Sequence, residues 1–135
     1  MKGKVVLAFS IITLFVTTSL SAKSFPLAAG PSNPAATGKV EIGKDKNGNV
    51  EVTIKTEHLA KPAMLTPPAN TYVVWFQEPN GEPINQGQLQ VDKNLKGEFK
   101  TTTHLQNFEV FVTAETDPNT KVPSSQVVLK ANVQP

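Results

Sequence analysis

Apolar and polar residues alternate along most of the chain beyond residue 38. A period of two is typical of β-strands, because successive side chains of a strand point to opposite faces of the sheet. Clusters of Asn, Asp, Gly and Pro separate the alternating segments and favour turns. The pattern predicts seven strands, which lie at 39–42, 50–55, 72–76, 88–92, 97–102, 108–114 and 125–133.

Helices have little support in the sequence. The chain contains 11 prolines, all of them beyond residue 25, and only 57–61 could form a single helical turn before Pro62. Seven short strands in about a hundred residues are typical of an immunoglobulin-like fold. We therefore expect an all-β protein, an immunoglobulin-like antiparallel β-sandwich of about seven strands.

Residues 1–22 have the pattern of a secretory signal peptide. Lys2 and Lys4 precede an apolar run at 5–16, and small residues then lead to a cleavage site near Ala22. An uncleaved membrane anchor is the alternative, but the apolar run is shorter than the roughly 20 residues that a bilayer requires. We expect a secreted or periplasmic protein with no membrane insertion after cleavage.

The remaining chain divides into two parts by composition. Residues 23–37 are rich in Pro, Ala, Ser and Gly, and we expect them to form an irregular N-terminal arm. Residues 38–135 carry the alternating segments and form the predicted β-sandwich domain. A domain of this size can be held together by a single hydrophobic core without disulfides or metals.

The charged residues argue against nucleic-acid binding. All 13 basic residues are lysines, and two of them lie in the predicted signal peptide, so the mature chain has 13 − 2 = 11 lysines against 11 acids. A neutral chain without arginine lacks the cationic surplus and the guanidinium groups that bind phosphates. The absence of cysteine excludes disulfides, thiolate metal sites and cysteine nucleophiles.

Neither a metal nor another cofactor is predicted. His58 and His104 are the only histidines and are far apart in the sequence. The segment 92–97 resembles the start of a calcium-binding loop, but Lys96 occupies a ligand position, and in 45–48 the glycine comes too early. We expect both segments to be hairpin turns.

Catalysis is not expected either. No nucleophile or phosphate-binding motif occurs in the sequence. Glu109 and Glu115 are the best pair of carboxylates, but six residues of extended strand separate them by roughly 20 Å at about 3.3 Å per residue. Glycoside hydrolysis requires a much shorter separation.

The predicted strand 72–76 is apolar on both faces. If Tyr72, Val74 and Phe76 face the core, then Trp75 lies on the outer face of the sheet, next to the last two strands. The residues that would form an interaction patch there are Val73, Trp75, Phe111 and Val128. Two alternatives remain: the N-terminal arm with 25–27 covers the patch, or Trp75 is buried inside the sandwich.

The C-terminal half resembles a known family. A Tyr-Val-Val-Trp strand at 72–75 leads into the turn 80–84, Gly87 precedes the next segment, and a Val-Thr-Ala-Glu sequence at 112–115 is followed by 122–124. This order is similar to the extracytoplasmic domain of anti-sigma-K factors. The similarity covers about 72–129 and implies a β-sandwich outside the cytoplasmic membrane of a bacterium. Sigma-factor binding is not implied, because the sequence has no counterpart of the domain that performs it.

Three hypotheses follow for the function. The first is an exported, non-enzymatic binding or interaction module of the cell envelope, whose partner is another envelope protein. The second is a passive structural or surface component of the envelope, tethered by the Pro/Ala-rich arm. The third is an enzyme or metalloprotein. The first has the most support, because the chemistry that the third requires is not found in the sequence.

Overall fold

The structure is a computed structural model that describes residues 23–134. The predicted signal peptide at 1–22 lies outside the described residues and stays a prediction. Within the described part, the chain forms eight strands and one short 3-10 helix at Pro62–Met64. The strands are β1 (Lys23–Ala29), β2 (Thr37–Lys44), β3 (Val50–Glu57), β4 (Thr71–Gln77), β5 (Ile84–Leu89), β6 (Gly97–Thr103), β7 (Phe108–Glu115) and β8 (Val127–Val133).

The eight strands belong to a single antiparallel sheet. Their order is β5-β4-β7-β8-β1-β2-β3-β6, so β4, β7 and β8 are neighbours as the sequence predicted. The two outermost strands, β5 and β6, come back towards each other, and Val91 and Gly97 form an isolated bridge beside them. The sheet is therefore nearly closed into a barrel. The all-β antiparallel prediction is confirmed, whereas the prediction of a two-sheet sandwich of seven strands is wrong.

The difference comes from β1, in the segment predicted to be an irregular arm. Residues 23–27 pair with β2, and Ala28 and Ala29 then pair with β8, so one strand joins the two halves of the sheet. Leu27 is buried in the core, and Phe25 packs against it. Pro26 is tolerated because pairing with β8 begins only at Ala28, which leaves Pro26 a strand partner on one side alone.

The interior of the sheet holds the main hydrophobic core. Alternate residues of β4 point into it, as predicted, and the ring of Phe76 lies 4.8 Å from that of Phe108. Residues of β2 and β3 line the opposite wall with the same alternation. The fully buried side chains of this core include Val40, Val52, Ile54, Leu59, Tyr72, Val74, Phe76, Leu89, Val110, Val112 and Leu129.

Two five-residue turns share one geometry. Oδ1 of Asp45 accepts hydrogen bonds from the amides of Asn47 and Asn49, both at 2.8 Å, and Oδ1 of Asp92 accepts from the amides two and four residues later. The fourth residue of each turn has positive φ, which is 78° at Gly48 and 61° at Leu95. The prediction of turns at both segments is confirmed. The predicted helical turn at 57–61 is wrong, because the helix begins at Pro62.

The seam between β5 and β6 is protected against pairing with another chain. Opposite β5, the pairing register of β4 shifts between Val74 and Trp75, and Gly87 of β5 has a φ of 133°. The ring of Phe99 from β6 lies so close that a Cβ at Gly87 would be 3.2 Å from it. A bulge and an inserted side chain are devices that stop an edge from adding a strand. The seam is therefore a poor place for a partner strand to add.

Tyr72 should make the stability depend on pH in the alkaline range. Its hydroxyl donates a hydrogen bond to the carbonyl of Ala60, and burial raises its pKa from 10.0 to about 12. The neutral phenol is thus the form that the fold favours. The contribution of Tyr72 to the free energy of unfolding is complete below about pH 10. It is lost as the pH rises to about 12, and the free energy then falls by up to about 1.4 kcal/mol per pH unit.

Denaturant unfolding of the wild type and of Tyr72→Phe at a series of pH values measures this contribution. The two proteins share every ionisable group except Tyr72, so the comparison isolates Tyr72. We expect the wild type to be more stable by about 1 kcal/mol or more near neutral pH, since Phe leaves the Ala60 carbonyl without its partner. The difference should shrink above about pH 10, and a constant difference would contradict the assignment.

Candidate functional site

The residues of the predicted interaction patch are all buried. Val73 and Trp75 lie on the face of β4 opposite the main core, as predicted, but both are 0% exposed and Phe111 is 6% exposed. Val128 belongs to the main core instead, and its neighbour Val127 packs against the other three. The patch is therefore not a free partner surface. It is a second, smaller core, which we call the outer core: Val73, Trp75 and Phe111, with Val127 at its margin.

Aromatic stacking holds the outer core together. Trp75 pairs with Phe111 across the β4–β7 ladder, and their rings stack with centroids 6.2 Å apart and an interplanar angle of 13°. The indole nitrogen of Trp75 donates a 2.8 Å hydrogen bond to Oγ1 of Thr113. A buried tryptophan usually finds such a partner for its N–H group. The position of the ring is thus fixed by packing on one side and by a hydrogen bond on the other.

The connection between β7 and β8, residues 116–126, is fastened over this face. The side-chain amide of Asn85, which projects to the same face as Trp75, donates to the carbonyls of Pro118 and Thr120 at 2.9 and 2.8 Å. Near the other end, Oγ of Ser124 donates to a β7 carbonyl at 2.8 Å. The outer core is therefore covered by this connection. Residues 25–27 of the N-terminal arm do not cover it, because Phe25 and Leu27 pack towards the main core and Pro26 is exposed.

A line of buried polar groups leads from the outer core to the end of β7. Thr113 accepts from the indole of Trp75, so its own hydroxyl hydrogen is free to donate to Oε2 of Glu115. The same oxygen accepts a 2.8 Å hydrogen bond from the amide of Ser124. Glu115 is only 7% exposed. Two donors on one carboxylate oxygen therefore hold this side chain in a single orientation.

The second oxygen of Glu115 has a different environment. None of the hydrogen bonds formed by residues 23–134 involves Oε1, yet no buried polar side-chain atom there is left without a partner. Oε1 must therefore keep access to solvent. Among those residues, no lysine or histidine nitrogen forms an ion pair with the carboxylate either. Glu115 thus presents one free acceptor atom.

Glu115 lines a surface cleft of about 450 Å³. Three segments of the chain form its walls: the β1–β2 connection, the loop after the 3-10 helix, and both ends of the β7–β8 connection. The walls combine hydroxyl groups with an apolar side made by prolines and alanines. The cleft, which we call the Glu115 cleft, is lined by Ser32, Thr66, Pro67, Pro68, Ala69, Ala114, Glu115, Thr116, Ser124, Ser125 and Gln126.

Within the cleft, the serine beside Glu115 is not arranged as a nucleophile. Oγ of Ser124 donates to the carbonyl of Ala114 and accepts from the amide of Gln126 at 3.2 Å. Acyl transfer would require a general base at this hydroxyl. Across residues 23–134, no group of three or more His, Asp or Glu side chains is placed to hold a metal ion. The arrangement is suited to binding a donor or a cation.

The sequence drew attention to Glu115 as a possible catalytic residue and not as a binding residue. The sequence singled it out with Glu109 as the best pair of carboxylates, although too far apart for catalysis, and the structure buries Glu115 while leaving Glu109 half-exposed. The sequence did contain one indication that Glu115 is buried. Thr113 and Glu115 are two residues apart and so share the phase of the outer-core residue Phe111. The partner Ser124 lies nine residues away, across the β7–β8 connection.

Comparisons with known proteins do not assign the chain to a family. A scan against family models finds no match, and searches of curated proteins and of solved structures find no significant match either. No helix within residues 23–134 is both long enough and apolar enough to span a bilayer.

Proposed function

We propose that this protein is an exported, non-enzymatic binding module of the bacterial cell envelope and that it contacts an envelope protein through the Glu115 cleft. One observation carries the proposal: a carboxylate that is more than nine-tenths buried lines a cleft, and among residues 23–134 it has no cationic partner and no hydrogen bond to its Oε1. A buried charge costs stability unless something compensates it. In the free protein, two hydrogen bonds to Oε2 and solvent at Oε1 compensate it. A cationic ligand group that enters the cleft would replace the solvent.

The predicted signal peptide and the resemblance to an extracytoplasmic domain both support the location. The engaged hydroxyl of Ser124 supports binding over catalysis, because the cleft contains a fixed acceptor but no activated nucleophile. Apart from Glu115, the walls are uncharged and mix polar with apolar groups, which suits a partner of moderate affinity more than a large apolar interface. The interaction patch predicted from the sequence is not part of the proposal, since its residues are buried.

A photo-cross-linking residue placed in the cleft tests the proposal. Ser125 lines the cleft and is exposed, so a substituted side chain there would point at a bound partner without disturbing the core. In cells that produce the protein with its own signal peptide, irradiation should give one cross-linked product of defined mass. Excess protein without the cross-linker should compete this product away.

Lys100 provides the matched control position. It is exposed on β6, near the seam of the sheet and away from the cleft. The same cross-linking residue at Lys100 should give no such product. Equal products from both positions, or none from Ser125, would contradict the proposal and would favour a passive structural component.

A further inference from the structure

We infer that the group bound in the Glu115 cleft is a primary ammonium on an aliphatic stem, such as a lysine side chain. The inference rests on the proposed function, because it names the chemistry of the ligand for the same cleft. Three features of the cleft carry it: the hydrogen bonds on the carboxylate, the composition of the walls, and the absence of an internal cation among residues 23–134.

The first feature, the hydrogen bonds on the carboxylate, favours an ammonium group over a guanidinium group. A guanidinium group binds a carboxylate best through two parallel hydrogen bonds, one to each oxygen. Oε2 of Glu115 already accepts from the hydroxyl of Thr113 and from the amide of Ser124. Only Oε1 is free, so the paired geometry is blocked. An ammonium group is a compact point charge and needs only one carboxylate oxygen.

The second feature is the supply of further acceptors. An ammonium has three N–H donors, and a cleft that removes it from water must satisfy all of them. Hydroxyl groups of Ser32, Thr66 and Thr116 line the same cleft as Glu115. Each can accept a hydrogen bond while donating its own hydrogen elsewhere. The cleft therefore offers one charged acceptor and several neutral ones.

The third feature is the apolar wall. Pro67, Pro68 and Ala69 form one side of the cleft. Lysine side chains bury their methylene stems along apolar surfaces while the charged end reaches a polar group. A proline wall is also rigid, so it costs little conformational entropy on binding. An alkylammonium thus matches both the Glu115 carboxylate and the apolar side of the cleft.

The sole tryptophan provides a built-in readout, because its indole N–H is connected through Thr113 to Glu115. The experiment titrates the isotope-labelled protein, by NMR, with four probes: acetyl-lysine N-methylamide, pentylamine, acetyl-arginine N-methylamide and acetyl-norleucine N-methylamide. The signals followed are the indole N–H of Trp75 and the amides of Ser124 and Ser125. We expect saturable shifts with the two ammonium probes. The norleucine derivative has no charge and should bind at least roughly tenfold more weakly, because it lacks the charge-assisted hydrogen bond. The arginine derivative should also bind more weakly than the lysine derivative, because only one of its two parallel donors finds a free carboxylate oxygen.

The two ammonium probes separate the possible sources of the group. Tighter binding of the lysine derivative would assign the group to a protein chain, and tighter binding of pentylamine would assign it to a free amine. Both results support an alkylammonium ligand. Equal or tighter binding of the arginine or norleucine derivative would overturn the inference, as would the absence of any saturable shift.

Two variants tie the binding to the cleft. Glu115→Gln can keep the acceptor for Ser124 and Thr113 and places an amide NH₂ where Oε1 was, so the fold should persist while ammonium binding falls at least roughly tenfold. Gln126→Lys adds a competing ammonium at the rim without touching that network and should also weaken binding. Unchanged affinity in both variants would overturn the inference. The cross-linking product at Ser125 can persist in that case, so the proposed function is judged separately.

Discussion

Trp75→Ala should lower the free energy of unfolding by about 3–5 kcal/mol, the usual cost of truncating a buried tryptophan. The side chain is 0% exposed and stacks on Phe111. Its removal leaves a cavity beneath the β7–β8 connection and takes the donor away from Thr113. The Thr113 hydroxyl, which orients Glu115, would then keep only its own hydrogen bond to that carboxylate. Chemical denaturation of wild type and variant measures the loss.

Trp75→Phe is the matched control for the packing contribution. It keeps an aromatic ring against Phe111 and removes the indole N–H. We expect a smaller loss, about 1–3 kcal/mol, that combines reduced volume with an unsatisfied acceptor at Thr113. A loss below about 1 kcal/mol for Trp75→Ala, as is usual for surface substitutions, would mean that the connection does not cover the outer core in solution.

The alternation of apolar residues located six of the eight strands closely, because each of these segments has at least one face towards the core. β5 was displaced: the sequence predicted 88–92, and the strand is Ile84–Leu89. Its alternation is interrupted at Gly87 by the irregularity opposite Val74 and Trp75, so the period of two does not hold across it. A local bulge of this kind hides a strand from pattern analysis.

β1 was not predicted because its composition indicated a loop. Phe25 and Leu27 alternate as in a strand, but Pro26 lies between them and two alanines follow. Proline is excluded from the middle of a fully paired strand, and the sequence does not reveal that Pro26 has a neighbour on one side only. Without β1 the two halves look like separate sheets, which is why a sandwich was predicted in place of a nearly closed sheet.

The outer core illustrates which part of a site periodicity can predict. The phase of β4 placed Trp75 on the outer face correctly, since alternation decides the face of every residue. What covers that face depends on contacts between distant segments. Asn85 binds carbonyls 33 and 35 residues away, and carbonyl partners have no sequence signature. The same limit applies to Glu115, whose burial depends on the amide of Ser124.

The junction between β1 and β8 is the narrowest connection in the sheet. Their ladder consists of two residue pairs, at Ala28 and Ala29, and is extended by a 2.9 Å hydrogen bond from the amide of Gly30 to the carbonyl of Val128. A Cβ on Gly30 would lie 2.2 Å from the carbonyl oxygen of Val127. Real contacts are never this short, and the obstructing atom belongs to the backbone, so β1 and β8 would have to separate.

Gly30→Ala should therefore cost at least about 1–3 kcal/mol, the usual penalty for overpacking, and the upper end is expected because a backbone atom cannot rotate away. Gly43→Ala in β2 is the control, since nothing but a carboxylate oxygen of Glu51 at 4.0 Å approaches its Cβ position. That variant should stay within about 0.5 kcal/mol of wild type. Amide hydrogen exchange would locate the damage: protection should fall first at Gly30 and along β8, where the two halves of the sheet meet. Equal stability of the two variants would show that β1 is not held against β8 as described.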